Sequence, residues 1–394
     1  CQNVIDDYEY DSNETKQTQY FAEIQKAIIE KHQKHHFQDE VTQKEVSFGV
    51  VRVANIPPCI ALTEYLMQSE WGDEIDVRVM SYHSQQVLIL RHEQEKHLDE
   101  VLKRKEKSDE MPIALKNKVI RQHLDNGSKK HLIFILVATP VEEVGRDHDF
   151  DWAVVEPSSY RSIIQLAGRV RRHRESTITE PNIALMQYNL KAIQEKQYPY
   201  SRPGYEANNY ELKTHNLDSL IDESAILEAV TAIPRIQKSE KLQPNDKLAD
   251  LEHEVTSKLL TSYTSKGAES LQGYLTQHWW LTALPQILNP FRKSEPTTKL
   301  FLMLDEGETI FIEKDKKGFP VKREGILSIE RKAINTEIRS KLWLERDYQS
   351  IIEKMADDES SSEKITSLRY GEISITMRDN TDYEYSDQFG LRAV

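Results

Sequence analysis

The chain has 394 residues, with 52 Lys and Arg against 65 Asp and Glu, for a net charge of −13. That length allows two or three domains with separate cores. The acidic balance excludes a generic polycation for nucleic acid but allows a local basic strip, because screening confines charges to a Debye length of about 8 Å.

Two cysteines, Cys1 and Cys59, make no disulfide framework and fit a reducing cytoplasm. No apolar run nears the roughly 20 residues of a membrane span, and no signal-peptide pattern opens the chain. It starts at Cys in a polar stretch, as a piece of a longer polypeptide would.

Residues 1–44 begin polar and then carry a helical pattern in Tyr20, Phe21, Ile24, Ala27 and Ile28. His32 and His36 are one helical turn apart and could ligate zinc with His35 nearby. No acidic or thiol partner at ligand spacing follows, so a solvated helix end is expected and no metal site. Residues 46–53 read as a buried strand. A helix through Ile60, Leu62, Tyr65 and Leu66 is entered by Pro57 and Pro58, which suit a first turn.

A second strand, 76–82, ends in His83-Ser84. The helix after it turns Val87, Leu90, Leu98, Val101 and Leu102 inward and closes in a lysine-rich run, 103–107. A helix over 113–124 stops at Asn126-Gly127. Strands over 132–138, 152–155 and 182–188 complete an alternation that predicts a parallel sheet with helices on both faces. Residues 198–209 look like an exposed connector.

Helical patterns resume over 217–233 and 248–274, and an aromatic segment runs from His278 to Phe291. Residues 300–304 and 309–313 alternate like a hairpin turned at Asp305-Glu306-Gly307. A strand is expected over 371–377, with Ser360, Ser361 and Ser362 in a surface loop. The division read from these patterns is a helical lead-in over 1–44, an α/β domain over 45–195, a connector over 196–240 and a smaller α+β domain over 241–394.

The densest chemistry lies over 132–174. A strand ends at Thr139-Pro140, a charged loop leads to a short strand, and an amphipathic segment, 160–172, carries four interleaved arginines. In α/β proteins this arrangement delivers side chains to the carboxyl edge of the sheet. On one helix, Gln165, Arg169 and Arg172 share a face, and Gly168 allows close approach. Two guanidinium forks aimed at one point suit a polyphosphate, for which a positioned arginine contributes about 10³–10⁵ in phosphoryl-transfer rate. The plainer alternative is a solvated basic face making ion pairs. Gln, Gly and both Arg together favour the phosphate reading.

The pattern Gln165-x-x-Gly168-Arg169-x-x-Arg172 resembles motif VI of superfamily 2 helicases, and Val137 to Asp147 is similar to their motif V. The resemblance implies that residues 45–195 are the second of two RecA-like motor domains. Arg169 and Arg172 would then reach nucleotide phosphates, Gln165 would order that site, and Gly145 and Asp147 would complete it. Thr139 would touch the nucleic-acid strand. Arg52 with Asn55 resemble motif IV, and Tyr82-His83-Ser84 a further strand-contacting motif.

The fuller wording of 138–174, with residues 51–58, 81–85 and 278–294, resembles the CRISPR-associated helicase–nuclease of type I systems, most of all its subtype F form. That implies ATP and Mg as cofactors, bound mainly by a first motor domain. It also implies single-stranded DNA and a CRISPR surveillance complex as partners, with no membrane. No G-x-x-x-x-G-K-[ST] loop, no D-E-x-[HD] box and no nuclease His-Asp pair is found; His148-Asp149 reads as loop chemistry. The first motor and nuclease domains are therefore expected to be missing, and the chain alone is expected neither to hydrolyse ATP nor to cut DNA.

Two rivals stay open: an RNA helicase of the same superfamily, and a non-catalytic docking module. Trp279 and Trp280 could stack bases, but adjacent helical residues point about 100° apart, so core packing is expected. Lys129, Lys130 and the 103–107 run could follow a DNA backbone, though lysines at helix ends are usually solvated.

Overall fold

The computed structural model describes residues 12–106, 110–174, 178–222, 224, 226–227, 229–261, 267–268, 277–288, 297–322, 328–376 and 381–394. Contacts divide the chain into two compact units, one of 1–156, 165–186 and 297–394, the other of 157–164 and 187–296.

The first unit is built on a sheet of β1 (Phe37–Gln38), β2 (Glu45–Arg52), β3 (Ile75–Tyr82), β4 (His131–Ala138), β5 (Trp152–Val155) and β6 (Ile183–Leu185). Their order is β3-β4-β2-β5-β6, all parallel, with β1 antiparallel to the start of β2. The predicted strands are present within a few residues. β2 and β4 are buried nearly end to end, as near-continuous apolar runs covered on both faces require.

Helices α1 (Asn13–His35), α2 (Ile56–Gln68), α3 (Leu88–Leu102) and α4 (Lys118–Asn126) cover the sheet. Ser12 caps α1, Pro57 and Pro58 fill the first turn of α2, and Asn117 Oδ1 caps α4 by accepting from Val119 and Ile120. Gly127 ends α4 as expected, but in extended backbone (φ −75°), not the left-handed form. A fifth helix, α5 (Tyr160–Ala167), is much shorter than the 160–172 segment it was read from.

One expectation for a polar cluster is corrected. His32 is fully buried, not solvated, because α1 lies against the sheet: its Nδ1 bonds Ser47 Oγ at 2.8 Å and its Nε2 meets His131 Nδ1 at 3.1 Å. Burial first, then the neighbouring His131 and His36 rings, depress its pKa to about 3. In the lysine-rich run after α3, Lys103 and Lys105 are exposed as expected, while Arg104 between them is buried, paired with Asp151 at 2.7 Å and Glu106 at 3.0 Å; Lys107 lies outside the described residues. Lys129 and Lys130 precede β4, at the edge opposite Thr139, and are tied to Gly72 O, Ile75 O and Glu45.

The second unit holds α6 (Leu248–Thr261) and several single helical turns, among them Leu217–Leu220, Ile233–Ile236 and Leu284–Leu288. The helix expected over 217–233 is broken into such turns, and the continuation of α6 toward Tyr274 lies outside the described residues except for 267–268, which are not helical; Pro290 and Phe291 also lie outside them. The expected exposed connector is a packed loop. Tyr200 is fully buried and Glu206 nearly so, accepting from the Tyr200 and Leu212 amides and from His215 Nε2. Trp279 is half-buried and Trp280 is 51% exposed, not a core pair; three residues of 3₁₀ helix present no continuous face to a core.

Residues 297–394 belong to the first unit, which differs from the division read off the sequence. β7 (Thr297–Asp305) and β8 (Glu308–Lys314) form the predicted hairpin, turned through Glu306 and Gly307 at positive φ. With β9 (Pro320–Lys322) and β11 (Glu372–Thr376) they make one sheet, and β10 (Ile329–Arg331), β12 (Tyr383–Ser386) and β13 (Gly390–Ala393) make another. Met377, the expected strand end, lies outside the described residues. Helices α7 (Tyr348–Asp358) and α8 (Glu363–Tyr370) pack on the first of these sheets, and Ser362 caps α8.

The join to the parallel sheet has an apolar centre. Trp343 is fully buried beside Phe48 and Phe134, with ring centroids 5.8 and 5.3 Å away, and Leu342 bridges Val79 on the outer edge of β3. The indole packs beside the stacked Phe48 and Phe134 rings and ties the 297–394 region to the core of the parallel sheet.

Candidate functional site

The strands deliver β2, β3, β4 and β5 to one edge of the sheet, and the 132–174 stretch folds over it. After β4, Thr139 opens a 3₁₀ turn, Pro140–Glu143. Three ties hold this turn. Glu142 Oε1 pairs with His148 Nδ1 at 2.7 Å, and His148 Nε2 lies 3.3 Å from Asp99. Glu143 takes the Arg52 Nε–H at 2.8 Å. Arg169 supplies the third, donating to the carbonyls of Glu142 (3.4 Å) and Glu143 (3.0 Å). Gly145 follows at φ +74°, the left-handed form in which a side chain is strained whatever the space.

The arginines do not share a helix face, which corrects the expectation. α5 stops at Ala167, and Gly168 and Arg169 turn the chain so that Val170 pairs with Phe150 in a single parallel bridge. Phe150 N donates to Arg169 O at 2.8 Å, Arg171 N donates to Phe150 O at 2.9 Å, and Arg171 sits at φ +47°. Backbone pairing with the 147–151 loop thus ends the helix where side-chain periodicity alone would continue it.

Each guanidinium has a different task. Arg174 is almost buried, holding Asp149 at 2.7 Å and Asp151 at 2.5 Å. Burial depresses its pKa, but the two carboxylates outweigh that and raise it. Arg169 is half-buried on its two carbonyls, and burial, then repulsion from Arg172, lowers its pKa. Arg172 is 38% exposed and, among the described residues, is held only by long contacts, 3.4 Å from Asp147 Oδ1 and 3.5 Å to Arg146 O. Asp147 accepts more firmly from His173 Nε2 at 2.8 Å, and that bond, first among its causes, keeps its carboxyl below the usual range. Gln165 is half-buried on the last turn of α5, and its amide has no protein partner among the described residues.

The residues expected to meet nucleic acid divide sharply. Arg52 is fully buried on Glu143 and the Glu156 carbonyl, so it offers no surface to a strand. An arginine ending a central strand, flanked by β4 and β5, is reached by a carboxylate and a backbone carbonyl before solvent. His83 is also fully buried, bonded through Nε2 to Phe389 O at 2.9 Å, and burial depresses its pKa to about 4. β13 lies over it, with Leu391 N on Gln85 O at 2.9 Å. Thr139 is 4% exposed, Asn55 half-buried at the entry to α2, and Ser84 exposed.

Sequence reasoning missed Asp149, Asp151, His173 and Arg174. Their signal was there: Asp147, Asp149 and Asp151 alternate with period two, facing the basic run 171–174, as opposite charges do across paired extended segments.

Comparison with known proteins agrees with the resemblance. Residues 45–175 match the family described as CRISPR-associated nuclease/helicase Cas3, C-terminal. The chain is 32% identical over 372 residues to the CRISPR-associated nuclease/helicase Cas3 subtype I-F/YPEST of Pseudomonas aeruginosa (strain UCBPP-PA14), covering 92% of this chain and 33% of that protein. Identity to the protein of the same description from Pectobacterium atrosepticum is 32% over 379 residues, 93% of this chain and 34% of the relative. The chain thus spans about a third of the length of these relatives. Among solved structures, T. fusca Cas3-AMPPNP aligns with 88% of this chain and 37% of its own, at 11% identity and a TM-score of 0.38. The chain is homologous to the C-terminal part of the CRISPR-associated nuclease/helicase Cas3.

Proposed function

We propose that the chain supplies the second motor domain and accessory region of an ATP-dependent single-strand DNA translocase that unwinds invading DNA in CRISPR interference, with degradation left to a nuclease domain elsewhere. The observation that carries this reading is Arg172. It stands at the carboxyl edge of the parallel sheet, more than a third exposed and loosely tethered, while Arg169 and Arg174 are engaged inside the fold. A guanidinium that can leave its partners cheaply is the one suited to a nucleotide's phosphates, where charge develops during phosphoryl transfer.

Gln165 lies on the adjoining helix end, and Asp147 and Gly145 lie on the facing loop that tethers the arginine. The nucleotide and its Mg would be held mainly by another motor domain, and the cation would neutralise the transferring phosphate. Arg169 contributes by fixing the turn after Thr139. DNA would be met through phosphates at Ser84, Asn55 and the Thr139 turn, without sequence preference and with strong salt dependence; Arg52 and His83 support that surface from beneath.

The test is ATP turnover, with single-stranded DNA present, in the polypeptide or complex that unites this chain with a P-loop motor domain. Arg172→Ala is expected to lower kcat by about 10³-fold or more and to leave DNA affinity within a few-fold. Turnover near the unsubstituted rate would overturn the assignment.

A further inference from the structure

His173 has no place in the reading above, yet its ring makes the shortest contact to the carboxylate that tethers Arg172. Asp147 Oδ1 lies 2.8 Å from His173 Nε2 and 3.4 Å from Arg172 Nε, so one oxygen serves both residues unequally. Lys105 Nζ approaches the other oxygen at 3.7 Å. The backbone fixes His173 independently of its ring: its N–H donates to Asp149 Oδ2 at 3.0 Å, and Asp149 is locked by Arg174. The imidazole therefore projects from a rigid anchor toward a carboxylate on the facing loop.

A carboxylate and a guanidinium left to themselves close into a short, two-pronged pair. Here the pair is long and one-sided, because the imidazole N–H already claims the shared oxygen. We propose that His173 is a positioning residue that keeps Arg172 from collapsing onto Asp147. By occupying Oδ1 it leaves the arginine tethered near the edge of the sheet but weakly enough to be recruited by a phosphate. Without the imidazole, Asp147 turns to Arg172, and every turnover must first break a full ion pair.

The inference rests on the reading of Arg172 given above, and its test separates the two. Steady-state ATP turnover with single-stranded DNA is measured in the protein or complex that carries the P-loop domain, for Arg172→Ala, His173→Ala and His173→Gln. The expected result is that His173→Ala lowers kcat about tenfold with KM for ATP within twofold, the pattern of a group needed only as charge develops. Glutamine keeps an N–H donor of similar reach, so His173→Gln is expected to stay within threefold of the unsubstituted kcat. Both variants retain the His173 backbone bond and should melt together. A His173→Ala enzyme with unchanged kcat overturns the inference, and so does a glutamine variant as slow as the alanine one. If Arg172→Ala itself turns over normally, the reading beneath it fails instead.

Discussion

At the scale of single residues, space and backbone conformation make separate demands on glycine. Gly49 pairs with Trp152 across β2 and β5, and a Cβ there would sit 2.1 Å from the indole. The indole cannot retreat: it is fully buried, and its Nε1–H donates to Ser47 Oγ at 2.9 Å. Gly49→Ala is therefore expected to lower unfolding free energy by about 1–3 kcal/mol through overpacking, read as an earlier urea midpoint with unchanged slope. Gly145 is the converse case, with open space on every side and a φ of +74°. There the cost of a side chain is backbone strain alone.

Among elements, the pairing of 147–151 with 169–174 explains both what the sequence showed and what it hid. Asp151 takes Phe48 N–H at 2.7 Å and Arg104 at 2.7 Å, both buried, and the part-buried Arg174 at 2.5 Å, so one carboxylate joins β2, the end of α3 and the arginine segment. Burial pushes its pKa up, but Arg104 and Arg174 more than offset that and hold it below the usual range. Asp151→Asn leaves the buried Arg104 and the part-buried Arg174 facing one neutral amide. The expected loss is about 3–5 kcal/mol, as for breaking a buried pair from one side, and a melt within one degree of the unsubstituted protein would refute this.

The strands and α2 to α4 were legible because their apolar runs are long and their prolines and capping residues sit at the boundaries. The end of α5 was not. Ile163, Ile164, Ala167 and Val170 keep a helical period past the point where Phe150 captures the backbone, and a long-range bridge leaves no trace in local spacing. Arg52 and His83 misled for the same reason, since neither the Glu143 carboxylate on one nor β13 over the other is near in sequence. Trp343, which anchors 297–394 in the first unit, stands in a polar stretch that gave no sign of a core residue.

For the molecule as a whole, these buried contacts set a direction for its pH dependence. His32, His83 and His97 are depressed to about 3, 4 and 4, burial being the first cause in each. His35 and His123 move the same way for the same first cause. A histidine with a lowered folded pKa binds its proton in the unfolded chain first. Its contribution is complete above about pH 6.5 and is lost as pH falls toward its folded value, at up to about 1.4 kcal/mol per pH unit for each group. Glu252, in the second unit, is raised by burial and opposes this trend there. Between pH 6.5 and 5, ordinary carboxylates stay ionised in both states, so the window belongs to the histidines. The three strongly shifted rings predict a loss on the order of 4 kcal/mol across it. All three lie in the first unit, one under α1, one under β13 and one beside Trp343, so α1 and the C-terminal region should loosen together with the sheet. Amide exchange of β2 and β4 at the two pH values reads this directly, because strands buried end to end open only with the whole unit. Protection that is unchanged at pH 5 would show that the three rings accept protons without disturbing the packing around them.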